Sequence, residues 1–466
     1  MKRKAKLVLA ILLLPIIFFS CALADEIDLA SISTVELNNL KDRIEEELAN
    51  RDEEGTLEIS EEPIKYSYKE YTYSIQNDSS AIILEYSGSK RELIIPDSLD
   101  GHNVTAIGEK AFASNEYIKS LSIPEGVIRI EPFAFAYCDK LSSVELPGSL
   151  KVIGDNSFCS CSKLSSIVIP DSVELISDEA FFHCSLYSIQ IGDNVKEIGN
   201  RAFASNPYSN ITLPDSIEKI DANPFADCDS LTSIFVSPHH DYLSVIDSIL
   251  YSKPDKRLIC CPSGKYSCTI PNGIQIIGAY SFYSNENYLS IELPDSVINI
   301  EEDAFSESDI SSISIHKNVQ EIGANPFRDI NLRYITIDND CFEVIEINYN
   351  SLIYDKTNKR IITGCKSDIF PYDAEIIGAK AYYGEFMMTE FIVPQGITTI
   401  EDEAFASCIQ MEKIVIPDSV VSIGRDAFAH CNKLSCTVGH DSYAEKYCIE
   451  NNIPYCFSDN NDWLSP

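Results

Sequence analysis

Two stretches far apart in the chain, IVIPDSVELISDEAFFHC at 167–184 and IVIPDSVVSIGRDAFAHC at 414–431, agree at twelve of eighteen positions. The phrase recurs throughout. Its proline slot is filled by Pro96, Pro124, Pro147, Pro170, Gly192, Pro214, Ser237, Pro271, Pro294, His316, Asp338, Pro371, Pro394, Pro417 and His440. Most steps are 22 or 23 residues; the first is 28, and steps of 34 and 33 precede Pro271 and Pro371. An aromatic column keeps pace: Phe112, Phe135, Phe158, Phe181, Phe203, Phe225, Phe282, Phe305, Phe327, Tyr382, Phe405 and Phe428. A repeat of about 20–29 residues with fixed apolar slots is a solenoid signature, because a coil this short cannot shelter its apolar face alone and must lie against copies of itself.

One coil can be read residue by residue. In Ser166-Ile167-Val168-Ile169-Pro170 the alternation predicts a short strand with Ile167 and Ile169 inward. Pro170 ends the pairing because it has no N–H to donate. Asp171-Ser172 makes a turn, and Val173 and Ile176 point inward again. Ala180-Phe181 is expected on a short helical or 3₁₀ segment, and Cys184 and Leu186 close the coil. Cys138, Cys161, Cys184, Cys228, Cys408 and Cys431 all stand three residues after a column aromatic, so they read as buried thiols serving as small apolar groups. Cys260-Cys261, or Cys448 with Cys456, remain open to oxidation.

The 466 residues carry a formal charge of −36. Such a chain repels nucleic acid and anionic lipid. Lys2, Arg3, Lys4 and Lys6, an apolar run from Leu7 to Phe19 and Ala22-Leu23-Ala24 predict a secretory signal peptide over 1–24, cut after Ala24. An alternative makes Cys21 the site of a lipid anchor. No later run is apolar and long enough to span a bilayer, so no transmembrane segment is expected.

The domains expected are the signal peptide (1–24), an acidic amphipathic helix and linker (25–60), a β N-terminal cap (61–95), repeats over 93–435 in about fourteen coils, and a C-terminal cap and tail (436–466). Tyr73, Ile75, Ile82, Leu84 and Tyr86 predict a capping hairpin. Ser33 and Glu36 form a capping box before Leu37, Leu40, Ile44 and Leu48. That helix either pairs with a partner or packs on its own cap. The two long steps contain similar hairpins near 241–268 and 341–368, each downstream of an Asn-Pro-Phe (Asn223-Pro224-Phe225 and Asn325-Pro326-Phe327) and each with a basic tip. They are either a paired ridge for a ligand or an extension of the sheet.

The pattern I-x-I-P-x-x-V-x-x-I-G-x-x-A-F-x-x-C at this period resembles the Treponema-type leucine-rich repeats of BspA-like surface proteins, over about residues 73–458. The short, basic signal suggests a bacterial source, and the resemblance implies a curved right-handed leucine-rich repeat solenoid of short parallel strands and short helical or 3₁₀ segments, capped by a β-hairpin and a short helix. For some members it implies adhesion to host matrix proteins or other microbes.

Chemistry finds little foothold. His183-Cys184 and His430-Cys431 sit in a slot that elsewhere holds Tyr137, Ser160, Asp227 and Ser407, which marks a solvent-facing loop. His239-His240-Asp241 lacks further ligands at suitable spacing and reads as a surface loop. Serines at strand starts, such as Ser143 and Ser166, read as a hydrogen-bonded ladder. No catalytic residue, metal or cofactor is expected. The candidate binding face is the outward strand slot, which includes Val168, Gln190, Thr212 and Phe235; its last members Ile369, Ile392 and Val415 are apolar, with Phe391 beside them. Sheet propensity alone gives an equal account of those residues. The expected function is non-enzymatic, extracellular recognition or adhesion, with a protein or glycan partner on the sheet face. The alternative is a structural part of a cell-surface assembly joined through the N-terminal helix; an enzyme ranks third.

Overall fold

The computed structural model describes residues 64–458 except 265–267, 286–289, 331–333, 348–349 and 365–369. The expected signal peptide, Cys21, the helix and linker of 25–60, and Ile369 lie outside the described residues.

Each coil lays down two short strands. Ser166–Val168 pairs in parallel with Ser188–Gln190, Ile167 opposite Ile189. After the proline turn, Leu175–Ile176 pairs in parallel with Val152–Ile153 on one side and Glu197–Ile198 on the other. This second ladder has no counterpart in the sequence reading, because two residues are too few for an alternation to register. Ile167, Ile169, Val173, Ile176 and Leu186 are all buried.

The segment around the column aromatic is not helical. It is a run of turns in which the residues two before and two after the ring have positive φ: 54° at Asn156 and 59° at Ser160 about Phe158, 53° at Glu179 and 52° at His183 about Phe181. A right-handed helix cannot contain such residues. Neither column contains Val, Ile or Thr, the side chains least tolerant of that conformation. Backbone N–H groups from these turns donate to the next coil, as Phe158 does to the Ala180 carbonyl (2.8 Å) and Ser160 to that of Phe182 (2.8 Å). The third side of the coil is therefore hydrogen-bonded along the solenoid axis as well.

The rings of the aromatic column are buried and stacked. Centroids are 4.9 Å apart for Phe112–Phe135, 5.1 Å for Phe135–Phe158, 5.3 Å for Phe158–Phe181, 5.5 Å for Phe181–Phe203 and 6.3 Å for Phe203–Phe225. Phe282–Phe305–Phe327 and Tyr382–Phe405–Phe428 form two further stacks. The ladder cysteines do more than fill space. Each thiol donates to the carbonyl of the column residue one coil earlier: Cys138 to Phe112 (3.2 Å), Cys161 to Phe135 (3.3 Å), Cys184 to Phe158 (3.2 Å), Cys408 to Tyr382 and Cys431 to Phe405 (both 3.1 Å). Asn206 holds the same position and donates to Phe181 O (2.8 Å). Burial pushes the Cys138 thiol up to about 11 and that of Cys228 to about 12, so both remain protonated donors at neutral pH.

Three antiparallel meanders divide the solenoid. The first is Lys65–Tyr68, Tyr71–Ile75 and Ala81–Tyr86, three strands where a hairpin was expected. The long steps contain Leu243–Ile246, Ile249–Ser252 and Arg257–Cys260, then Phe342–Ile347, Asn350–Asp355 and Arg360–Thr363. In each, the register shifts just before a buried tyrosine: Tyr73, Tyr251 or Tyr354. In each, the last strand pairs in parallel with the first strand of a new ladder: His102–Ile107, Ile276–Ile277 or Ile376–Ile377. In each, the next residue in line donates to the carbonyl just before a column aromatic: Tyr86 to Ala111 (2.9 Å), Cys261 to Ser281 (2.9 Å) and Gly364 to Ala381 (2.7 Å). The insertions are thus internal copies of the N-terminal cap; the apolar core falls into three large clusters, with a small fourth (Ala204, Ala226, Ala279, Tyr280) spanning the first insertion.

At the far end the helix Tyr443–Glu450 is capped by Ser442, whose Oγ accepts from Glu445 N at 3.1 Å. Its Tyr447 ring stands edge-on to Phe428, centroids 6.0 Å apart. Tyr455–Phe457 then adds a last parallel strand to Ser435–Val438.

Candidate binding surface

The outward strand slot is a continuous file of side chains along the sheet face. Over four successive coils it presents Val168 (59% exposed), Gln190, Thr212 and Phe235 (53%). Strand pairing stops between Ser188–Gln190 and Asn210–Thr212. A depression of about 370 Å³ opens there, lined among others by Tyr187, Gln190, Asp193, Asn210, Thr212 and Pro214. Tyr187 stands 70% exposed at its edge. An aromatic face, two carboxamides, a hydroxyl and a carboxylate thus converge between two apolar side chains. Such a surface can stack on an apolar or sugar face while exchanging directional hydrogen bonds.

The structure separates the sequence candidates. Phe235 belongs to this file. Ile392 (70% exposed) and half-buried Val415 occupy the same slot far along the chain. Phe391 is corrected: it is the inward residue of Glu390–Ile392, buried with its ring edge-on to Tyr382 and Phe405 at 4.9 and 5.0 Å. Neighbours on a strand face opposite sides, so Phe391 and Ile392 cannot share a surface. Val168 and Tyr187 were not singled out, although the exposed position of Val168 follows from the same alternation.

The remaining candidates have structural roles. His183 and His430 are exposed on left-handed turns. His240 is buried rather than in a surface loop. Its Nδ1 accepts from the N–H groups of Tyr242 (3.2 Å) and Leu243 (3.1 Å), and its Nε2 lies 3.2 Å from the Pro214 carbonyl. Accepting at Nδ1 puts the proton on Nε2, which then donates to Pro214. The basic tips of the insertions are largely neutralised: Arg257 pairs with Glu301 and with Asp255 (2.8 Å), Arg360 with Glu401 (2.7 Å) and Lys359 with Glu375, while Lys256 is exposed. The hydroxyl bonds between coils come from positions beside the expected serines, as from Ser142 to Lys119 O (2.9 Å) and Thr232 to Ser209 O (3.2 Å), and from the proline turn, as from Ser216 to Val195 O (2.7 Å). The ladder cysteines are free thiols, as are Cys436, Cys448 and Cys456. Cys448 is buried in hydrogen-bonding contact with Cys436, while Cys456 is exposed. Among the described residues no group of three or more His, Cys, Asp or Glu is placed to hold a metal ion, and no helix is long and apolar enough to cross a membrane.

Comparison with known proteins agrees with the coil geometry. The chain resembles a leucine-rich cell surface protein of Faecalibacterium prausnitzii (23% identity over 87% of this chain and 97% of that one, TM-score 0.43). It also resembles the pneumococcal vaccine antigen PcpA (18%, 85% and 99%, TM-score 0.48) and a leucine-rich repeat protein of Bacteroides ovatus (22%, 84% and 99%, TM-score 0.43). No curated protein matches significantly. The model of the BspA type leucine rich repeat region, in six copies, matches residues 86–207, 151–248, 261–369 and 375–461. Those spans take in most of the chain, with one gap inside the first inserted meander and another just after the second; the chain belongs to the BspA-type leucine-rich repeat family.

Proposed function

We propose that this is a non-enzymatic, extracellular recognition protein that adheres to a protein or glycan through the sheet face of its first block. The observation that carries the reading is the depression between Gln190 and Thr212, with Tyr187 at its edge and Val168 and Phe235 on either side. Three exposed apolar side chains around a cluster of polar groups match the anchors and polar contacts of a recognition surface. Membership of a surface-protein repeat family points the same way.

Saturable binding of the purified protein to immobilised matrix proteins, mucin or neighbouring bacterial cells is the expected result. Tyr187→Ala with Phe235→Ser should weaken it at least about tenfold, as loss of two anchors implies. Undiminished binding by that variant, with an unchanged melting curve, would remove the sheet face from the account.

A further inference from the structure

We propose that the cavity beside the second inserted meander is a socket for the ammonium group of a lysine side chain on a basic protein partner. The cavity measures about 200 Å³ and is lined among others by Arg328, Asp329, Thr363, Tyr383, Glu385 and Phe386. That volume admits a slender alkyl stem and its head group.

Glu385 is the anomaly that marks the site. It stands three residues after Tyr382, the position that holds donors such as Cys138, Cys161, Cys184, Asn206, Cys228, Cys408 and Cys431 in other coils and the apolar Ile330 in the coil before. Those seven donors all bond to backbone carbonyls. An ionised carboxylate has nothing to donate. Burial, and then the charge of neighbouring Asp329, hold the Glu385 carboxyl above its usual range, and among the described residues neither a hydrogen bond nor a cation offsets them.

The surroundings leave this charge unbalanced. Arg328 is engaged by Asp303 (2.9 Å), Glu307 (2.9 Å) and Asp329 (2.9 Å), and Lys380 by Glu302 (3.5 Å) and Asp303 (3.2 Å). With Glu385, two cations face five carboxylates. An incoming ammonium would supply the missing charge and three donors. The rim is apolar: Phe386 is 57% exposed and Met387 70%. Ile409, also exposed, holds in the next coil the position Phe386 holds in its own. Such a rim suits the methylene stem of lysine and apolar neighbours on the partner. The chain's charge of −36 steers basic partners toward it. This inference rests on the recognition reading but names a different surface from the sheet face.

The test is a titration of the whole protein with N-acetyl-lysine methylamide, followed by NMR at about 150 mM salt, where long-range attraction is screened. N-acetyl-norleucine methylamide is the uncharged comparison. The lysine probe should saturate at one site. The norleucine probe, and the lysine probe on Glu385→Gln, should each bind at least about tenfold more weakly, the loss expected of one charge-assisted hydrogen bond. Glutamine can donate as Asn206 does, so the fold should persist, and a melting curve checks this. Phe386→Ser, which keeps every charge, should weaken binding severalfold. Equal binding of the two probes, absence of saturation, or undiminished binding by Glu385→Gln overturns the assignment. Tyr187→Ala with Phe235→Ser should leave the probe unaffected. Probe binding without capture of any cell or matrix protein would sink the proposed function and leave the socket standing.

Discussion

The run of coils from Tyr86 to Phe225 and the two places where a meander interrupts the solenoid solve the same problem by different means. Within the run, continuity is repetitive: stacked rings, thiol or carboxamide donors and a ladder of turns recur at every step. At the interruptions the meander strands take over the backbone pairing, and single side chains bridge the coil before to the coil after. Asn223 Nδ2 donates to Tyr280 O and Asn325 Nδ2 to Lys380 O, both at 2.8 Å and across more than fifty residues of chain. Outside, the Arg201 guanidinium lies over the rings of Phe182 (4.7 Å), Tyr280 (5.5 Å) and Tyr283 (5.7 Å). At the second interruption Arg328 lies over Tyr283 (5.9 Å) and Tyr383 (5.2 Å) while pairing with Asp303, Glu307 and Asp329. A repeated interface spreads its stability over many equal contacts, whereas a junction concentrates it in a few.

The most damaging change should fall inside the run. Phe181→Ala removes a ring stacked on both sides and should cost about 3–5 kcal/mol in urea unfolding. Hydrogen exchange should show the loss over residues 81–225, with the amides of Ile400 and Ile423 still protected. Equal loss on both sides of the meanders would mean that the blocks unfold as one. Arg328→Met should cost about 3 kcal/mol, because Asp303 stays buried with only Lys380 to offset it. By contrast, removing Lys151 from its exposed pair with Glu174 (3.0 Å) within the run should cost less than about 1 kcal/mol. Asn325→Ala leaves the Lys380 carbonyl without its side-chain donor and should cost about 2 kcal/mol. The smallest effects discriminate between the meanders. Tyr354→Phe loses a 3.0 Å hydrogen bond to Asp373 and should destabilise by about 1 kcal/mol. Tyr251→Phe removes a buried hydroxyl without a partner and should leave stability unchanged or raise it by up to about 1 kcal/mol. A shared sign for the two would show that the meanders do not differ in this way.

The coil was legible in the sequence because its apolar slots are repeated more than a dozen times and any misreading of one is corrected by the rest. The turn segment was misread because Ala180, Phe181 and Cys184 have a spacing that also suits a 3₁₀ helix. What excludes the helix is the left-handed backbone at Glu179 and His183, and polar residues in such slots are common in helices too. The kinship of the N-terminal cap with the insertions went unseen because Tyr73, Tyr251 and Tyr354 share a bulge and a burial rather than a phrase. The candidate surfaces were half legible. Alternation placed Phe235 and Ile392 outside but, read strictly, also placed Phe391 inside. The cavity at Glu385 draws on segments around 325–330, 351–364 and 383–386, a proximity that no periodicity encodes.

The meanders also bear on how such a chain can change length. In a single uninterrupted stack, an unequal exchange between near-identical units would displace every later layer relative to its far cap. Here each meander restarts the count: the strand ending at Thr363 sets the phase for Ile376–Ile377 regardless of how many layers precede it. Duplication or loss of a unit between two meanders is therefore confined to its own compartment. A surface under pressure to vary can grow or shrink there while the neighbouring compartments stay in step.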